Sequence, residues 1–432
     1  MNAQDRIIGQ RKQPGLPAPC RLCGAPLHHT FVDLGVSPPC QSFLRPDQLD
    51  EMEAFYPLHA LVCGECHLVQ LKEYVTPDSI FREYAYFSSF STSWVAHAKA
   101  YCEMIAPRLD LGPDSLVVEI ACNDGYLLQH FQPMKIPVLG IEPALNVGEV
   151  ARQKGIPVCL EFFGRKLAKE LKEKGSEADL IVGNNVLAHV PDLNDFVSGV
   201  KHLLKPEGVA TFEFPHLQRL MDENQFDTIY HEHFSYFSFL TINRLAKNHG
   251  LKLIDVEELP THGGSLRIYL AHEASSHEVA PPVPRLLERE RQTGFERLET
   301  YTSFGEQVIR TKHNLLSFLI EAKAAGRRIC GYGAPGKGNT LLNYCGIGPD
   351  FLDFVVDRNT YKQGLYTPGM RIPIRPVEAI DEVRPDMILI LPWNLKTEIM
   401  EQMGHAREWG AQFVVPIPEV RIVEPEPDRM IA

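Results

Sequence analysis

Four short apolar segments recur through the middle of the chain, and each is followed by a polar loop. They are "SLVVEI" from Ser115, "VLGIEP" from Val138, "DLIVGN" from Asp179 and "GVATFEF" from Gly208. Strands that alternate with helices predict an α/β fold with a doubly wound parallel sheet. Ligands of such sheets bind at the carboxyl ends of the strands, so the loops after these segments are candidate binding sites.

The first of these loops, "ACNDG", is followed by a predicted helix and contains a single glycine, Gly125. A dinucleotide pyrophosphate needs close backbone approach at more than one glycine, so the missing G-x-G-x-x-G pattern disfavours NAD. An acidic, glycine-poor turn suits S-adenosylmethionine, which has a sulfonium, an amino acid tail and a ribose. Glu119, Asn123 and Asp124 would line the amino acid end, and Glu142 would hold the ribose hydroxyls. Alternatively, Asn123 and Asp124 only cap the next helix.

Two C-x-x-C pairs stand near the front of the chain, Cys20 with Cys23 and Cys63 with Cys66. Four thiolates complete a tetrahedral shell without an open position, which predicts a structural Zn²⁺. The segments "LHHTFVDLG" and "FYPLHALV" between the pairs read as strands that would bring them together. A redox pair is the alternative, but neither copy has the strand–helix context that such a motif uses.

The bulk properties limit the class of protein. A chain of 432 residues predicts two or three domains. The formal charge of −12 argues against nucleic acid or an anionic membrane as partner, and no apolar run approaches the roughly 20 residues of a membrane helix. The first residues lack an apolar signal-peptide core, so we expect a cytoplasmic monomer or small homo-oligomer.

The last third of the chain repeats the strand–helix alternation. A Pro-rich linker near Pro281 and a charged helical stretch from Arg285 to Gly326 precede "RRICGYGAPGKGNT", "FLDFVVDRN" and "DMILILPWN". These segments predict a second, smaller Rossmann-like domain. Its glycine-rich loop offers backbone amides and Lys337 to a phosphate, although Gly338 breaks the Walker A pattern. The alternative is a tight turn in a scaffold domain.

One short stretch, "FDTIYHEHFSYFS", places Tyr230, His231, Glu232 and His233 side by side. The two histidines have the spacing of a metal-binding pair on one face of a strand. The stretch also suits an acid/base centre, because the ordinary histidine pKa lies near neutrality. A structural aromatic turn is the third interpretation.

These motifs together resemble one family, the S-adenosylmethionine-dependent sugar C-methyltransferases that modify nucleotide-linked 4-keto-deoxysugars. The resemblance runs almost end to end, through both C-x-x-C pairs, "YAYFSSFSTSW", "VVEIACNDGYLL", "NNVLAHVPDL", "FDTIYHEHFSYFS", "THGGSLR" and "CGYGAPGKGNTLLNYCGI". The chain departs from the family at Ala121-Cys122, where Gly-Ser is more usual, and at Pro39-Cys40-Gln41, where Leu-Ala-Asn or similar is usual.

The resemblance implies a class I methyltransferase fold with three parts: a zinc-binding domain over 1–75, a methyltransferase domain over 76–280 and a nucleotide-sugar-binding Rossmann-like domain over 281–432. It implies methylation of a nucleotide-diphospho 4-keto-6-deoxyhexose, most simply at carbon 3. His233 would remove the proton next to the ketone. Tyr230 would steady the enolate oxygen, Glu232 would hold or polarise a partner, and His189 would bond the keto oxygen or the sugar.

The remaining predicted contacts divide between cofactor and substrate. Those to the cofactor are Glu119, Ala121, Asn123, Asp124, Gly125, Glu142, Asn184, Tyr84 and Ser88. Those to a thymidine- or guanosine-diphospho sugar are Tyr86, Arg267, Gly333, Lys337, Asn339 and Asp357. Three alternatives stay open: methylation at carbon 5, an NAD-dependent nucleotide-sugar dehydrogenase or epimerase, and a non-catalytic zinc-bearing scaffold.

Overall fold

The structure is a computed structural model that describes residues 17–74 and 87–423. The chain forms two compact units. The first comprises Met1–His29, Val62–Leu217 and Glu232–Leu298, and the second comprises Thr30–Leu61, Gln218–His231 and Glu299–Ala432. Within the described ranges, no helix has both the length and the apolar character needed to cross a membrane.

Three strands follow the first cysteine pair: β1 (His29–Ser37), β2 (Tyr56–Val62) and β3 (Val69–Leu71). β1 and β2 are neighbours in one sheet. They coincide with the two segments that the sequence predicts to be strands between the cysteine pairs.

The first unit contains a seven-stranded sheet in the order β10-β11-β8-β7-β4-β5-β6. Strand β11 runs antiparallel to β8 and to β10, and the other neighbours are parallel. The order reverses at β4, which lies between β5 and β7, so the ligand crevice of this sheet is expected at the carboxyl ends of β4 and β7. The strands are β4 (Val117–Ile120), β5 (Val138–Ile141), β6 (Val158–Cys159), β7 (Ala178–Asn184), β8 (Leu204–Pro215), β10 (Leu251–Leu259) and β11 (Ser265–His272).

A short strand, β9 (Ser235–Tyr236), lies outside that sheet and pairs antiparallel with β3. The described helices up to residue 292 are α1 (Thr92–Arg108), α2 (Leu145–Gln153), α3 (Arg165–Glu173), α4 (Leu193–Leu203), α5 (Leu217–Asp222), α6 (Phe239–Asn248) and α7 (Pro282–Gln292). All belong to the first unit except α5, which lies in the second unit from Gln218 onward. Helix α1 begins after Ser91, whose hydroxyl accepts the Trp94 N–H as an N-cap. Its apolar face, including Tyr101 and Ile105, packs into the core around β4.

The sequence predicts an α-helix after β4, and this prediction is wrong. Two 3₁₀ turns, Leu128–His130 and Gln132–Met134, stand in its place. Pro133 has no N–H to donate, and Lys135 adopts a left-handed backbone with φ +58°. Both features prevent an α-helix from continuing through this segment.

Glu290 of α7 is a fully buried carboxylate whose oxygens are satisfied inside the first unit. It accepts the backbone N–H groups of Phe239 and Leu240 at the start of α6. Nε2 of His216 lies 2.7 Å from the same carboxylate. A negative charge at a helix N-terminus is stabilised by the helix dipole, so Glu290 joins α7 to α6.

The charged helical stretch predicted from Arg285 to Gly326 is interrupted. Helix α7 ends at Gln292, and Gly294 adopts φ +90°, which an α-helix does not contain. The chain then forms α8 (Leu298–Thr302) and α9 (Phe304–Ala324).

The second unit contains a six-stranded sheet in the order β14-β13-β12-β15-β16-β17. Only the pair β16 and β17 is antiparallel, and the order reverses at β12. This sheet confirms the predicted second Rossmann-like fold. Its strands are β12 (Ile329–Tyr332), β13 (Val355–Val356), β14 (Ile374–Arg375), β15 (Met387–Ile390), β16 (Gln412–Val415) and β17 (Arg421–Val423), with helices α10 (Gly336–Cys345), α11 (Ala379–Val383) and α12 (Lys396–Gln402).

Candidate active site

The four cysteines of the two C-x-x-C pairs meet in the first unit. Their sulfur atoms all lie within 4.8 Å of one another, and the Cys20–Cys66 and Cys23–Cys63 sulfurs are 3.5 Å apart. A tetrahedral ion with Zn–S bonds of about 2.3 Å requires sulfurs roughly 3.8 Å apart. The cluster therefore has the size of a Zn²⁺ shell, and all four positions would be taken by protein.

The thiols of this cluster cannot all ionise without a cation. Hydrogen bonds from the Cys63 and Cys66 thiols hold the pKa of Cys20 far below its ordinary value. The same contact raises the pKa of Cys63 to about 11 and raises that of Cys66 further. A bound Zn²⁺ supplies the positive charge that lets every sulfur bind as thiolate.

The two cysteine turns share one backbone shape. Gly24 donates to the Cys20 carbonyl and His67 donates to the Cys63 carbonyl. Both residues are left-handed, with φ +76° for Gly24 and +57° for His67. The left-handed residue of the second turn is thus His67, the residue directly after Cys66.

The predicted cofactor turn follows β4 and alternates in backbone hand. Ala121, Asn123 and Gly125 have φ values of +58°, +50° and +76°. Asparagine and glycine tolerate this region, whereas alanine is strained in it. The strain explains why glycine is more usual in the resembling family at the position of Ala121.

The described end of the aromatic segment lies against this turn. The backbone N–H of Ser88 donates to the Asn123 side-chain oxygen at 2.9 Å, and that of Ser89 donates to Asp124 at 3.3 Å. Nζ of Lys154 lies 3.7 Å from the Asp124 carboxylate. Two other predicted contacts in the aromatic segment, Tyr84 and Tyr86, lie outside the described residues.

Three carboxyl groups, Glu119, Asp124 and Glu142, gather at the reversal point of the sheet, and all are buried. Burial raises the pKa of Glu119 well above its ordinary value, and the charges of Glu142 and Asp124 raise it further. Burial also raises the pKa of Glu142 to about 7, although its oxygens accept the N–H groups of Asn123 and Ala144. A buried acidic cluster of this kind is stabilised by a cationic ligand.

Asn184, at the carboxyl end of β7, is a buried polar residue of the same sheet edge. Within residues 17–74 and 87–423, neither end of its side-chain amide has a hydrogen bond. Buried polar groups without partners are costly and mark positions where a ligand completes the structure. The ammonium, sulfonium and ribose of S-adenosylmethionine provide donors and positive charge, so these residues fit that cofactor.

His189 and His233 form a pair in the first unit. His189 follows β7 in a 3₁₀ turn, and its ring lies edge-on to the His233 ring with centroids 4.7 Å apart. Nδ1 of His189 lies 2.8 Å from the Glu232 carbonyl oxygen. Because a carbonyl only accepts, Nδ1 carries the proton and Nε2 is an acceptor. Burial lowers the pKa of His189 to about 4, so the ring is neutral at neutral pH.

The boundary between the two units falls inside the stretch Tyr230-His231-Glu232-His233. Tyr230 and His231 belong to the second unit, and Glu232 and His233 belong to the first. Nε2 of His231 lies 3.3 Å from the Pro57 carbonyl oxygen, and its ring lies edge-on to Tyr56. Within its own unit, His231 thus has the contacts of a structural residue.

A group of aromatic and polar side chains surrounds Trp94 in the first unit. The sequence analysis predicted no role for them. The Trp94 ring lies 5.0 Å from His97, 5.2 Å from His262 and 6.0 Å from Tyr126, between centroids. Nε2 of His262 is 3.1 Å from the Asn185 amide nitrogen. Both His262 and Asn185 have left-handed backbones. The sequence signals that could have indicated these turns are the glycine pair Gly263-Gly264 and the asparagine pair Asn184-Asn185.

Arg267, a predicted substrate contact, lies in a buried ion-pair network. Its guanidinium is 3.1 Å from Glu213 and 3.0 Å from Glu257, and it lies 4.7 Å above the Tyr101 ring. His97 is 2.9 Å from Glu213. The Arg267 charge is thus balanced inside the sheet, and its substrate role stays a prediction.

Four of the predicted nucleotide-sugar contacts, Gly333, Lys337, Asn339 and Asp357, lie in the second unit, around the reversal point at β12. Gly333 has φ +83°. Lys337, at the start of α10, donates to the Asn394 side-chain oxygen at 2.9 Å and lies 4.5 Å above the Trp393 ring. Asp357 accepts the Ala334 N–H, and Asn339 donates to the Cys40 carbonyl.

Comparison with known proteins finds three family models that match successive parts of the chain. Family models match at residues 20–81 ("Putative zinc binding domain"), residues 95–256 ("Methyltransferase domain") and residues 260–418 ("C-methyltransferase C-terminal domain"). C-methyltransferase NovU from Streptomyces niveus is 36% identical over 408 residues, which cover 94% of this chain and 97% of NovU.

Two more distant matches cover smaller shares of the chain. A ubiquinone biosynthesis O-methyltransferase from Bartonella bacilliformis is 28% identical, over 32% of this chain and 56% of its own length. The crystal structure of the PH0226 protein from Pyrococcus horikoshii OT3 is 15% identical, covers 47% of this chain and 99% of its own, and has a TM-score of 0.35.

The strand order and the acidic turn define a class I methyltransferase that uses S-adenosylmethionine, joined to a zinc-binding cysteine cluster and a second Rossmann-like sheet. The chain belongs to the C-methyltransferase family. The resemblance stated from the motifs is thereby confirmed, whereas the predicted domain boundaries and the roles of single residues stay predictions.

The zinc content depends on the cysteine cluster. We expect one zinc per chain by atomic absorption, and Cys23→Ser to lower the content strongly because serine does not supply a thiolate. Cys159→Ser, at a half-buried thiol of β6, serves as the control and should keep its zinc. Equal zinc content in both variants would contradict the site.

The strained turn predicts an unusual glycine effect. Replacing Ala121 by glycine relieves a left-handed conformation worth about 1–2 kcal/mol and costs about 0.4–1 kcal/mol of unfolded-state entropy. We expect Ala121→Gly to raise the free energy of unfolding by roughly 0.5–1 kcal/mol. Ala144→Gly, at φ −79°, should lower it. Calorimetry measures the free energy of unfolding of both variants and of wild type. If both variants are less stable than wild type, Ala121 is not strained.

The neutral, buried His189 predicts a stability loss in acid. Its folded pKa of about 4 lies below the ordinary 6.5, so the unfolded chain binds a proton first as the pH falls from about 6.5 to about 4. That difference corresponds to about 3 kcal/mol of stability, present above pH 6.5. In thermal unfolding at pH 7.5 and 5, His189→Asn should lose less stability than wild type. Exposed His28→Asn should behave as wild type.

Proposed function

We propose that this C-methyltransferase methylates carbon 3 of a nucleotide-diphospho 4-keto-6-deoxyhexose. The observation that carries the proposal is the His189–His233 pair, 4.7 Å apart. His189 lies at the carboxyl end of β7, the strand that flanks the cofactor turn. A histidine base beside a methyl donor suits carbon methylation next to a ketone, because that hydrogen is acidic enough for removal by a base of near-neutral pKa.

His233 is proposed as the base. It takes the proton from carbon 3, and the electron pair of that C–H bond moves into the enolate. S-adenosylmethionine, when bound, supplies an electrophilic methyl group. The enolate electrons would form the new bond from the substrate carbon to this methyl as the sulfur–methyl bond breaks, with that electron pair left on the sulfur of S-adenosylhomocysteine. His233 would then pass its proton to solvent.

His189 has a narrower role than the sequence suggests. Its Nδ1 proton is engaged with the Glu232 carbonyl, so the neutral ring presents Nε2 as an acceptor. An acceptor does not bond the keto oxygen, and we therefore assign His189 to a sugar hydroxyl or to the orientation of His233. Tyr230 is the proposed donor for the enolate oxygen, since a phenol stabilises developing oxyanion charge.

The diphosphate of the substrate is proposed to bind the glycine-rich loop of the second unit. The left-handed Gly333, the start of α10 and the Lys337 ammonium support this assignment, because backbone amides at a helix N-terminus and a cation favour a phosphate. A cytoplasmic location follows from such a substrate and belongs to the same proposal.

Labelled S-adenosylmethionine tests the reaction with thymidine- and guanosine-diphospho 4-keto-6-deoxysugars as acceptors. We expect label on a sugar carbon, with His233→Ala slower by roughly 10²- to 10⁴-fold, as for loss of a general base. NMR of the product distinguishes carbon 3 from carbon 5.

His231→Gln is the matched control, because glutamine keeps a donor for the Pro57 carbonyl. It should retain most of the rate. Equal losses in the His231 and His233 variants would argue against His233 as the base, and no transfer to any sugar would refute the substrate class.

A further inference from the structure

Arg21 stands inside the first cysteine turn, between Cys20 and Cys23, yet its side chain reaches away from the sulfurs. One guanidinium nitrogen donates to the Pro191 carbonyl at 3.0 Å, and the other donates to the Leu71 carbonyl at 2.6 Å. The guanidinium carbon lies 5.1 Å from the centre of the Phe234 ring. One planar group thus contacts three separate segments of the first unit.

Two of these three segments carry the histidine pair. Pro191 follows His189 by two residues, and Phe234 is the residue after His233. The same segments bond each other directly, because the Phe234 N–H donates to the Ala188 carbonyl at 2.7 Å. Arg21 therefore contacts both chain segments beside the point where they join.

The third segment, β3, links Arg21 to the acid/base loop by main-chain bonds. The Leu71 N–H donates to the Phe234 carbonyl at 3.0 Å. Gln70 pairs with Ser235, two residues beyond His233. The segment that carries His233 is therefore held as an added strand on β3.

Gln70 also connects Arg21 to the cysteine cluster. Its buried side chain accepts the Arg21 backbone N–H at 2.9 Å and donates to the Cys20 sulfur at 3.2 Å. On the other side, the Asn194 amide at the start of α4 donates to the Arg21 carbonyl at 2.8 Å. The backbone of Arg21 is thus fixed from two directions, so its guanidinium has a defined starting point.

We propose that Arg21 is a positioning residue of the reaction, which holds the segments of His189 and His233 in register from within the zinc-binding turn. The guanidinium suits this role because its planar donors bond two carbonyls at fixed angles while its face lies on an aromatic ring. The zinc-binding turn then serves the proton-transfer step and not only the stability of the fold. This inference rests on the proposed role of His233.

The cofactor turn offers a contrast. The hydrogen bonds of Asn123, Asp124 and Glu142 that the structure describes go to Ser88, Ser89, Ala144 and one another. None of these partners contacts Arg21 within the described ranges. Loss of the Arg21 side chain should therefore leave cofactor binding intact while it changes the histidine pair.

Three variants of the full-length zinc-loaded protein test the inference. Arg21→Met keeps an apolar stem over Phe234 but removes both hydrogen bonds. Arg21→Lys keeps one charge that reaches a single carbonyl. Arg244→Met is the matched control, since exposed Arg244 donates to the Glu65 carbonyl in the second cysteine turn and bonds neither histidine segment.

For Arg21→Met we expect unchanged zinc content and an unchanged Kd for S-adenosylmethionine by calorimetry. Single-turnover methyl transfer should slow by on the order of 10- to 100-fold, the cost of misplacing a catalytic group by about 1 Å. Arg21→Lys should recover part of the rate, and Arg244→Met should match wild type. If Arg21→Met loses its zinc, Arg21→Lys decides, with a several-fold loss expected.

A readout apart from activity separates this inference from the proposed reaction. The Nδ1 proton of His189, held by the Glu232 carbonyl, should give a slowly exchanging NMR signal that shifts or disappears in Arg21→Met and persists in Arg244→Met. An unchanged signal together with a transfer rate within twofold of wild type would overturn the inference. If no sugar accepts a methyl group, the proposed substrate fails, and the signal alone decides the role of Arg21.

Discussion

Three buried carboxyl groups at one sheet edge are the constraint around which the methyltransferase unit is built. Glu119, Asp124 and Glu142 lie where the strand order reverses, with the ammonium of Lys154 near only one of them. Burial raises the pKa of Glu119 and of Glu142, and for Glu119 the neighbouring carboxylates of Glu142 and Asp124 add to the rise. A sulfonium and an ammonium would stabilise the charged carboxylates. The cluster thus favours a cationic cofactor.

Main-chain bonds hold together the two segments that carry the histidine pair. The Phe234 N–H bonds the Ala188 carbonyl, and β9 adds to β3 beside the cysteine cluster. A reacting base has to be held to fractions of an ångström, and strand pairing offers that rigidity where a free loop does not. The second cysteine turn directly precedes β3 in sequence, and Gln70 of β3 bonds Cys20 of the first turn. These links give a physical reason for a small metal-binding module in a methyltransferase chain.

Sequence reasoning reached the strands, the cysteine cluster and both Rossmann-like folds, because apolar runs and C-x-x-C spacing are local signals. It could not reach features set by distant partners. Arg267 lies near a conspicuous glycine pair, but its ion pairs with Glu213 and Glu257 arise from the register of neighbouring strands. The left-handed backbone at Ala121 likewise cannot be predicted from the sequence, because alanine rarely adopts that conformation. The helix expected after β4 failed at Pro133, a signal that was present but not weighed.

The two points where the strand order reverses, at β4 in the first sheet and at β12 in the second, carry different charged residues. They therefore suit ligands of different charge. The first gathers carboxylates and suits a cation. At the second, Lys337 and Lys362 lie around the loop after β12, and the Lys362 ammonium is 3.8 Å from Asp357. Burial lowers the pKa of Lys337, and the nearby Asp227 carboxylate opposes only part of that change. Burial also raises the pKa of Asp227 to about 6. Asp357 already accepts a backbone N–H of that loop, so less of its charge opposes an anion. The first reversal point thus gathers three carboxyl groups around a single lysine, whereas the second balances two lysines against two aspartates, so the two sheets suit ligands of different charge.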